Sequence, residues 1–247
     1  MIARLEPGDR LVYLGNLIGR GAGATATVDS LLRFRSLFLA RPDAFACDVV
    51  HLRGSQEEMW QKLLQLQFAT DPKAVLQWML DQGLAASLEA YGVPPSEGLR
   101  EAAAGPRQLT RWTSALRERI QAYDGHWQLL GSLRRAAYTD RADAAGGTTG
   151  SGNSGWGLLF VNAGLEPERP LEAQKDSFWW GGGGFAAVDR PYGGYRRVVR
   201  GFCPQHPGLE LGDFTATLDA GCGFGGPLLA ACFALDGSLV DEIEVAA

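Results

Sequence analysis

The stretch that decides the fold is "RLVYLGNLIGRG", residues 10 to 21. Its four apolar residues at 11–14 predict a buried strand, and the glycines that follow predict a tight turn. In α/β proteins, a strand that ends in such a turn commonly carries metal ligands or phosphate-binding groups. This turn contains no carboxylate, and the residues at its centre are Asn16 and Gly19. The sequence therefore keeps the backbone pattern of a catalytic turn without the acids that such a turn uses.

The residues after this turn predict a helix and a second strand. Apolar residues recur at helical spacing over 27–42, and we expect Pro42 to end the helix. The segment "CDVVHLRG" (47–54) predicts a strand that ends in Arg53 and Gly54. A strand, a helix and a strand at this spacing predict a parallel βαβ unit.

The rest of the chain divides into a helical block, a loop and a β-rich part. Residues 56–138 have helical periodicity, with Asp71 and Pro72 at one predicted helix start, and we expect them to form a cap inserted between strands. Residues 140–155 are rich in Gly, Ser and Thr and predict a flexible loop. The last third predicts strands that end in a hairpin at "LDGS" (235–238). We expect one domain over 1–247.

Composition excludes several classes of protein. A net charge of −5 argues against a nucleic-acid partner, because binding to phosphate backbones depends on a basic surface. The sequence has no apolar run of membrane-span length and no signal-peptide core, so we expect no membrane partner and a cytoplasmic location. The four cysteines lack metal-ligand spacing, and we expect reduced, mostly buried thiols.

Five stretches, in order along the chain, resemble the motifs of one enzyme family. "RLVYLGNLIGRG" is similar to a strand followed by G-D-x-x-D-R-G, and "VVHLRGSQEEM" (49–59) to a strand followed by R-G-N-H-E. "LLFVNAGL" (158–165) is similar to a strand ending in H-A-G, and "VVRGFCP" (198–204) to the turn G-H-T-P. "LDAGCGFGGPLLAA" (218–231) resembles a closing I-D-T-G followed by a Gly-Gly-x-Leu strand. The chain thus resembles the calcineurin-like metallophosphoesterases, in particular the bacterial serine/threonine protein phosphatase and diadenosine tetraphosphatase group.

This resemblance implies an α/β fold of a particular kind. The family forms an α/β/β/α sandwich, in which two packed mixed sheets are flanked by helices, and the block 56–138 resembles its helical cap insertion. The family's opening D-x-H-G strand has no counterpart here, because the first recognisable strand begins about ten residues after Met1. We therefore expect the first strand and helix to be missing, and the open sheet edge to be covered by the chain itself or by another subunit in an oligomer.

The resemblance also implies a metal site whose ligands are replaced here. In the family, two divalent ions such as manganese or iron polarise the phosphate and generate the attacking hydroxide. The six motif positions that carry metal ligands or the catalytic acid hold neutral residues in this chain, namely Asn16, Gly19, Ser55, Gln56, Asn162 and Phe202. Two dications held close together repel each other and need negatively charged ligands. We therefore expect no metal ligands, no catalytic residues and no cofactor.

Some charged and aromatic residues leave alternatives open. Arg20 and Arg53 match positions that the family retains and are candidates for binding an anion, although Arg20 could instead cap a helix or pair with a carboxylate. His51 or His206 could replace a lost metal ligand. The aromatic run at 178–180 could form an exposed recognition patch, but we expect it to lie in the core. The large apolar residues of the helical block recur at helical spacing, and we expect them to form its core, namely Trp60, Trp78, Met79 and Trp112.

Three functions are consistent with this pattern. The first is a catalytically inactive phosphatase-like protein, or pseudoenzyme, that acts by binding a phosphorylated ligand or by regulating a partner protein. The second is an active metal-dependent phosphoesterase with atypical ligands, acting on phosphoproteins or dinucleotide polyphosphates. The third is a decaying gene product without a selected role.

Overall fold

A computed structural model describes residues 4–139 and 157–246, which form a mixed α/β structure. The described residues cluster into two compact units. The sheet unit comprises Met1–Gly15, Cys47–Gly54 and Arg134–Ala247, and the helical unit comprises Asn16–Ala46 and Ser55–Leu133. The predicted loop at 140–155 lies outside the described residues. The α/β class predicted from the sequence is confirmed.

The first two strands pair as the sequence predicts. Strand β1 (Leu11–Tyr13) is parallel to β2 (Val49–His51), and helix α1 (Ala24–Leu39) lies between them in the chain. The register places Leu11 opposite Val49 and Tyr13 opposite His51. The prediction that β1 is buried is wrong, because all three of its side chains are only half-buried. Among the described strands only β2 pairs with β1, so its environment is that of a sheet edge.

The largest described sheet of the sheet unit is a mixed sheet of five strands. Its strands are β3 (Ala137–Tyr138), β4 (Leu158–Val161), β5 (Arg197–Arg200), β6 (Gly208–Leu211) and β7 (Thr215–Asp219), in the order β3–β4–β5–β7–β6. Strands β4, β5 and β7 are parallel, whereas β3 and β6 run antiparallel at the two edges. The core at this sheet includes Phe178 and Trp179 of the short helix α8 (Ser177–Trp180). The predicted core position is confirmed for these two rings, whereas Trp180 is 42% exposed.

The chain ends in the predicted hairpin. Strand β8 (Leu228–Phe233) pairs antiparallel with β9 (Leu239–Val245). The hairpin is only partly covered, and Cys232 on β8 is exposed. Cys47 and Cys222 are also exposed, so the prediction of mostly buried thiols is wrong, and only Cys203 is buried. Although Cys232 is exposed overall, partial desolvation of its thiol raises the pKa of this group, and the nearby carboxylates raise it further.

The helical unit contains seven α-helices among its residues, all of which the structure describes. They are α1, α2 (Ser55–Leu63), α3 (Pro72–Met79), α4 (Ala85–Ala90), α5 (Pro95–Ala104), α6 (Pro106–Gln121) and α7 (His126–Gly131). A π-helical turn at Leu80–Leu84 joins α3 to α4. The predicted start of α3 is confirmed, because Asp71 Oδ1 accepts the Ala74 N–H at 3.0 Å and Pro72 is the first helical residue.

Three sequence predictions about the helices need correction. Helix α1 ends at Leu39, three residues before Pro42. The helical block ends at Gly131, because the following residues pair with strands, and Arg134 accepts the Arg53 N–H at 2.7 Å. Trp78, which we expected in the core, is 45% exposed. No helix in the described parts of the chain combines the length and apolar character that a membrane span requires.

Candidate functional site

The carboxyl ends of three strands meet at Asn162 in the sheet unit. Asn162 directly follows β4 and is fully buried. Its Nδ2 donates to the Leu14 carbonyl at 2.7 Å, at the end of β1. Its own carbonyl accepts the N–H groups of Gly201 and Phe202, at 2.9 and 2.8 Å, at the end of β5. The structure therefore brings together the first, third and fourth motifs that the sequence singles out.

Gly15 allows the second motif to join this cluster. A Cβ at this position would lie 2.7 Å from the Gly54 N and 2.9 Å from the Asn162 Nδ2. The φ angle of Gly15 is +90°, a conformation that side chains disfavour. The backbones after β1 and β2 thus approach so closely at this point that only glycine fits.

One polar atom of this cluster has no hydrogen-bond partner. The Oδ1 atom of Asn162 is buried and accepts no hydrogen bond from any described residue. Phe202, at another ligand position, offers only a hydrocarbon ring. At these two motif positions the chain therefore offers one neutral acceptor oxygen, where the motifs that it resembles have two histidines.

In the helical unit, Asn16 has a structural role. Its backbone is left-handed, with a φ angle of 55°, as asparagine tolerates better than most residues. Its Oδ1 accepts hydrogen bonds from Ser55 Oγ and from the Gln56 N–H, both at 3.2 Å. The carboxamide thereby satisfies a free N–H in the first turn of α2. The residue at the position of the family's bridging aspartate caps a helix.

Glu57 has a role in the structure that the sequence analysis did not predict. Its side chain is buried, and its carboxylate accepts the backbone N–H groups of Asn16, Leu17 and Ile18 at 2.9, 2.6 and 3.1 Å. Three consecutive N–H groups around one anion form a strong, charge-assisted contact. Glu57 matches the final residue of the R-G-N-H-E motif, which was the available signal, but the sequence could not identify its partners.

Gln56 occupies the space beside Gly19. A Cβ at residue 19 would lie 2.3 Å from Gln56 Oε1, and the φ angle of Gly19 is +117°. The Gln56 side chain is held in place because its Nε2 donates to the Gln82 carbonyl at 2.9 Å. The Gly19 N–H donates to Ser87 Oγ at 2.8 Å. The Gln56 side chain therefore occupies the space that a side chain at residue 19 would need.

The two candidate anion-binding arginines belong to different units. Arg20 lies in the helical unit and is exposed, and its Nη2 donates to the Gln82 carbonyl at 3.3 Å. Arg53 lies in the sheet unit and is half-buried at the end of β2.

The two candidate histidines, His51 and His206, lie in different surroundings. His51 is buried and its ring stacks on Tyr13, with centroids 4.7 Å apart, and burial raises the pKa of the Tyr13 hydroxyl to about 12. His206 Nδ1 lies 2.9 Å from Asp219 Oδ2. Within residues 4–139 and 157–246, no three His, Cys, Asp or Glu side chains are grouped so that they could hold a metal ion.

The donor set at the six motif positions does not fit two divalent ions. Asn16, Ser55, Gln56 and Asn162 offer neutral oxygens, the oxygen of Asn16 is already engaged in two hydrogen bonds, and Gly19 and Phe202 offer no ligand atom. Neutral oxygens do not offset the repulsion between two adjacent dications.

Comparison with known proteins leaves the family unassigned. No protein-family model matches the chain, and no curated protein is significantly similar to it.

Proposed function

We propose that this chain is a catalytically inactive relative of the calcineurin-like metallophosphoesterases that acts by binding. The proposal includes the α/β/β/α sandwich with a helical cap. It is supported by the order of the five motifs and by the meeting of three strand ends at Asn162, where such an enzyme would place its ligands. The glycine backbone of the motifs is retained, while their ligand side chains are replaced.

One observation gives the main support for the proposal that the protein is catalytically inactive. The Gln56 side chain fills the volume into which any side chain at residue 19 would project. These are the positions of a carboxylate and of the catalytic acid in the family motifs. Because the two replacements pack against each other, they form a stable alternative to a reactive pair, and restoring either residue alone would disturb this packing.

The partner that we propose is a phosphorylated ligand or a partner protein. Arg20 is an exposed arginine, and a guanidinium has several N–H groups that can donate to phosphate oxygens. Arg53, half-buried beside the strand ends, is the second candidate. Both residues would bind without hydrolysing the ester.

A second candidate function rests on Asn162. Its buried Oδ1 accepts no hydrogen bond from the described residues, and an amide oxygen can coordinate a hard cation. An active phosphoesterase with atypical ligands would use this atom. The inactive protein is favoured because a single neutral ligand atom binds a divalent ion only weakly.

We expect no metal-dependent hydrolysis by the purified protein. The assay supplies manganese or iron(II) and offers p-nitrophenyl phosphate, a phosphoserine peptide and diadenosine tetraphosphate in turn. An active bacterial phosphatase of this family in the same buffer serves as the positive control. Turnover above the buffer rate that disappears in both Asn16→Ala and Gln56→Ala would overturn the proposal, since an impurity would not respond to either substitution.

A further inference from the structure

Three side chains of the helical unit form a hydrogen-bonded chain that leads from its interior to its surface. They come from Asp29 on α1, Tyr91 directly after α4 and His126 at the start of α7. The Tyr91 hydroxyl lies 2.8 Å from His126 Nδ1, and His126 Nε2 lies 3.0 Å from Asp29 Oδ1. An ionised carboxylate only accepts hydrogen bonds, so Nε2 carries the imidazole proton and Nδ1 has the lone pair. The Tyr91 hydroxyl therefore donates to Nδ1, which is a base.

Burial separates this chain of hydrogen bonds from an ordinary surface contact. Tyr91 is 2% exposed and His126 is fully buried, whereas the Asp29 side chain is 66% exposed. Burial raises the pKa of the Tyr91 hydroxyl, and the interactions with Tyr123 and Asp29 raise it further. The phenol therefore stays protonated in the resting protein, with an imidazole nitrogen at hydrogen-bond distance from its proton.

Aromatic rings connect Tyr91 with the surface of the helical unit. The Tyr123 ring meets the Tyr91 ring edge-on, with centroids 5.3 Å apart, and stacks on the His126 ring at 5.0 Å. Tyr123 is 37% exposed. The rate of electron transfer falls steeply with distance, so neighbouring rings exchange an electron more readily than distant ones. Tyr123 thus gives a reagent in solution electronic access to the buried Tyr91 ring.

We propose that Tyr91 is a redox-active tyrosine, which gives one electron through Tyr123 to a one-electron oxidant such as a peroxyl radical. Loss of the electron makes the phenol strongly acidic, and its O–H bond breaks as the proton moves to His126 Nδ1. Tyr91 becomes a neutral tyrosyl radical, His126 becomes an imidazolium that Asp29 stabilises, and the peroxyl radical becomes a hydroperoxide anion. A one-electron reductant such as ascorbate returns the electron, and the proton moves back to Tyr91.

Tyr192 provides a contrast within the same chain. Its hydroxyl donates to the Arg169 carbonyl at 2.7 Å, and a carbonyl oxygen takes up a proton far less readily than an imidazole nitrogen. The base beside Tyr91 is therefore the feature that favours oxidation there. All the residues of the proposed relay lie in the helical unit and outside the five motifs, so the inference does not depend on the proposed relation to phosphatases.

The test is oxidation of the purified protein by photogenerated tris(bipyridine)ruthenium(III), followed by electron paramagnetic resonance. The chain has six tyrosines, and we expect the long-lived tyrosyl signal to come from Tyr91 and to be lost in Tyr91→Phe. Tyr138→Phe removes a tyrosine that is 62% exposed and should leave this signal unchanged. A long-lived signal that persists in Tyr91→Phe, or the absence of any such signal in the unsubstituted protein, would overturn the proposal.

Asp29→Asn tests the proton transfer without changing a buried residue. The asparagine oxygen still accepts from Nε2 but has no charge to stabilise the imidazolium, so we expect the radical to form about tenfold more slowly. Glu118→Gln removes an exposed carboxylate from α6 of the same unit and should leave the rate unchanged.

His126→Gln removes the base but keeps an acceptor for the Tyr91 hydroxyl, and we expect it to abolish the long-lived signal. If this variant does not fold, the comparison of Asp29→Asn with Glu118→Gln still decides the question. Equal rates of radical formation in those two variants would show that the hydrogen-bonded chain is only structural, whatever its effect on stability in urea.

Discussion

Gly15→Ala is expected to lower the free energy of unfolding by about 3 kcal/mol or more, through backbone strain and a steric clash. The added methyl group would lie 2.7 Å from the Gly54 N and 2.9 Å from Asn162 Nδ2. Relief would require the turns after β1 and β2 to separate and would weaken the hydrogen bond between Asn162 and Leu14. Urea denaturation of the variant and of the unsubstituted protein measures the change.

Gly8→Ala is the matched control for this prediction. Gly8 has the same φ angle of +90°, but a Cβ there would meet nothing within 4 Å. This variant therefore measures the strain alone, which we expect to be about 1 kcal/mol. If the two variants have equal stability, the strand ends do not approach each other as described.

Glu57→Ala is expected to destabilise the protein by about 3 to 5 kcal/mol. The substitution removes the carboxylate that accepts the N–H groups of Asn16, Leu17 and Ile18 and leaves these groups in a partly or fully buried environment. Glu57→Gln keeps one acceptor oxygen and should have an intermediate effect. Urea denaturation gives the stability, and hydrogen exchange of these three amides shows whether the turn opens.

Glu89→Ala provides the comparison, because Glu89 is an exposed glutamate on helix α4. Substitution of such a surface residue changes stability by about 0.5 kcal/mol or less. A small effect of Glu57→Ala, with unchanged exchange of the Asn16–Ile18 amides, would show that this carboxylate does not hold the turn.

Local patterns in the sequence were sufficient for several elements. The parallel pairing of β1 with β2 follows from two apolar runs separated by a helix-length segment. Asp71 and Pro72 mark the start of α3, because the side chain of one and the ring of the other suit a helix terminus. The final hairpin follows from a turn sequence between two apolar runs.

The remaining features depend on contacts between distant parts of the chain. Asn16 caps a helix that begins 39 residues later, and Glu57 binds backbone groups about 40 residues earlier. Neither contact has a local sequence pattern. Burial was also misjudged for β1 and for Trp78, since an apolar residue in a periodic pattern can still lie at an edge.

The sequence predicted where the residues of the candidate site lie, but not the contacts that they make. The motifs placed Asn162 and Gly15 at strand ends, and the structure brings these residues together. What the sequence could not show is which structural contacts the residues at the motif positions make. Gln56 packs at Gly19 and bonds to Gln82, and Asn16 bonds to the first turn of α2. The central claim is that these positions now stabilise the protein rather than bind metal.

Anomalous X-ray scattering from crystals soaked in manganese chloride tests this claim most directly. We predict no anomalous peak beside Asn16 or Asn162 at a manganese concentration that fills the site of an active calcineurin-like phosphatase. A pair of peaks about 4 Å apart beside Asn16, or beside Asn162, would contradict the account.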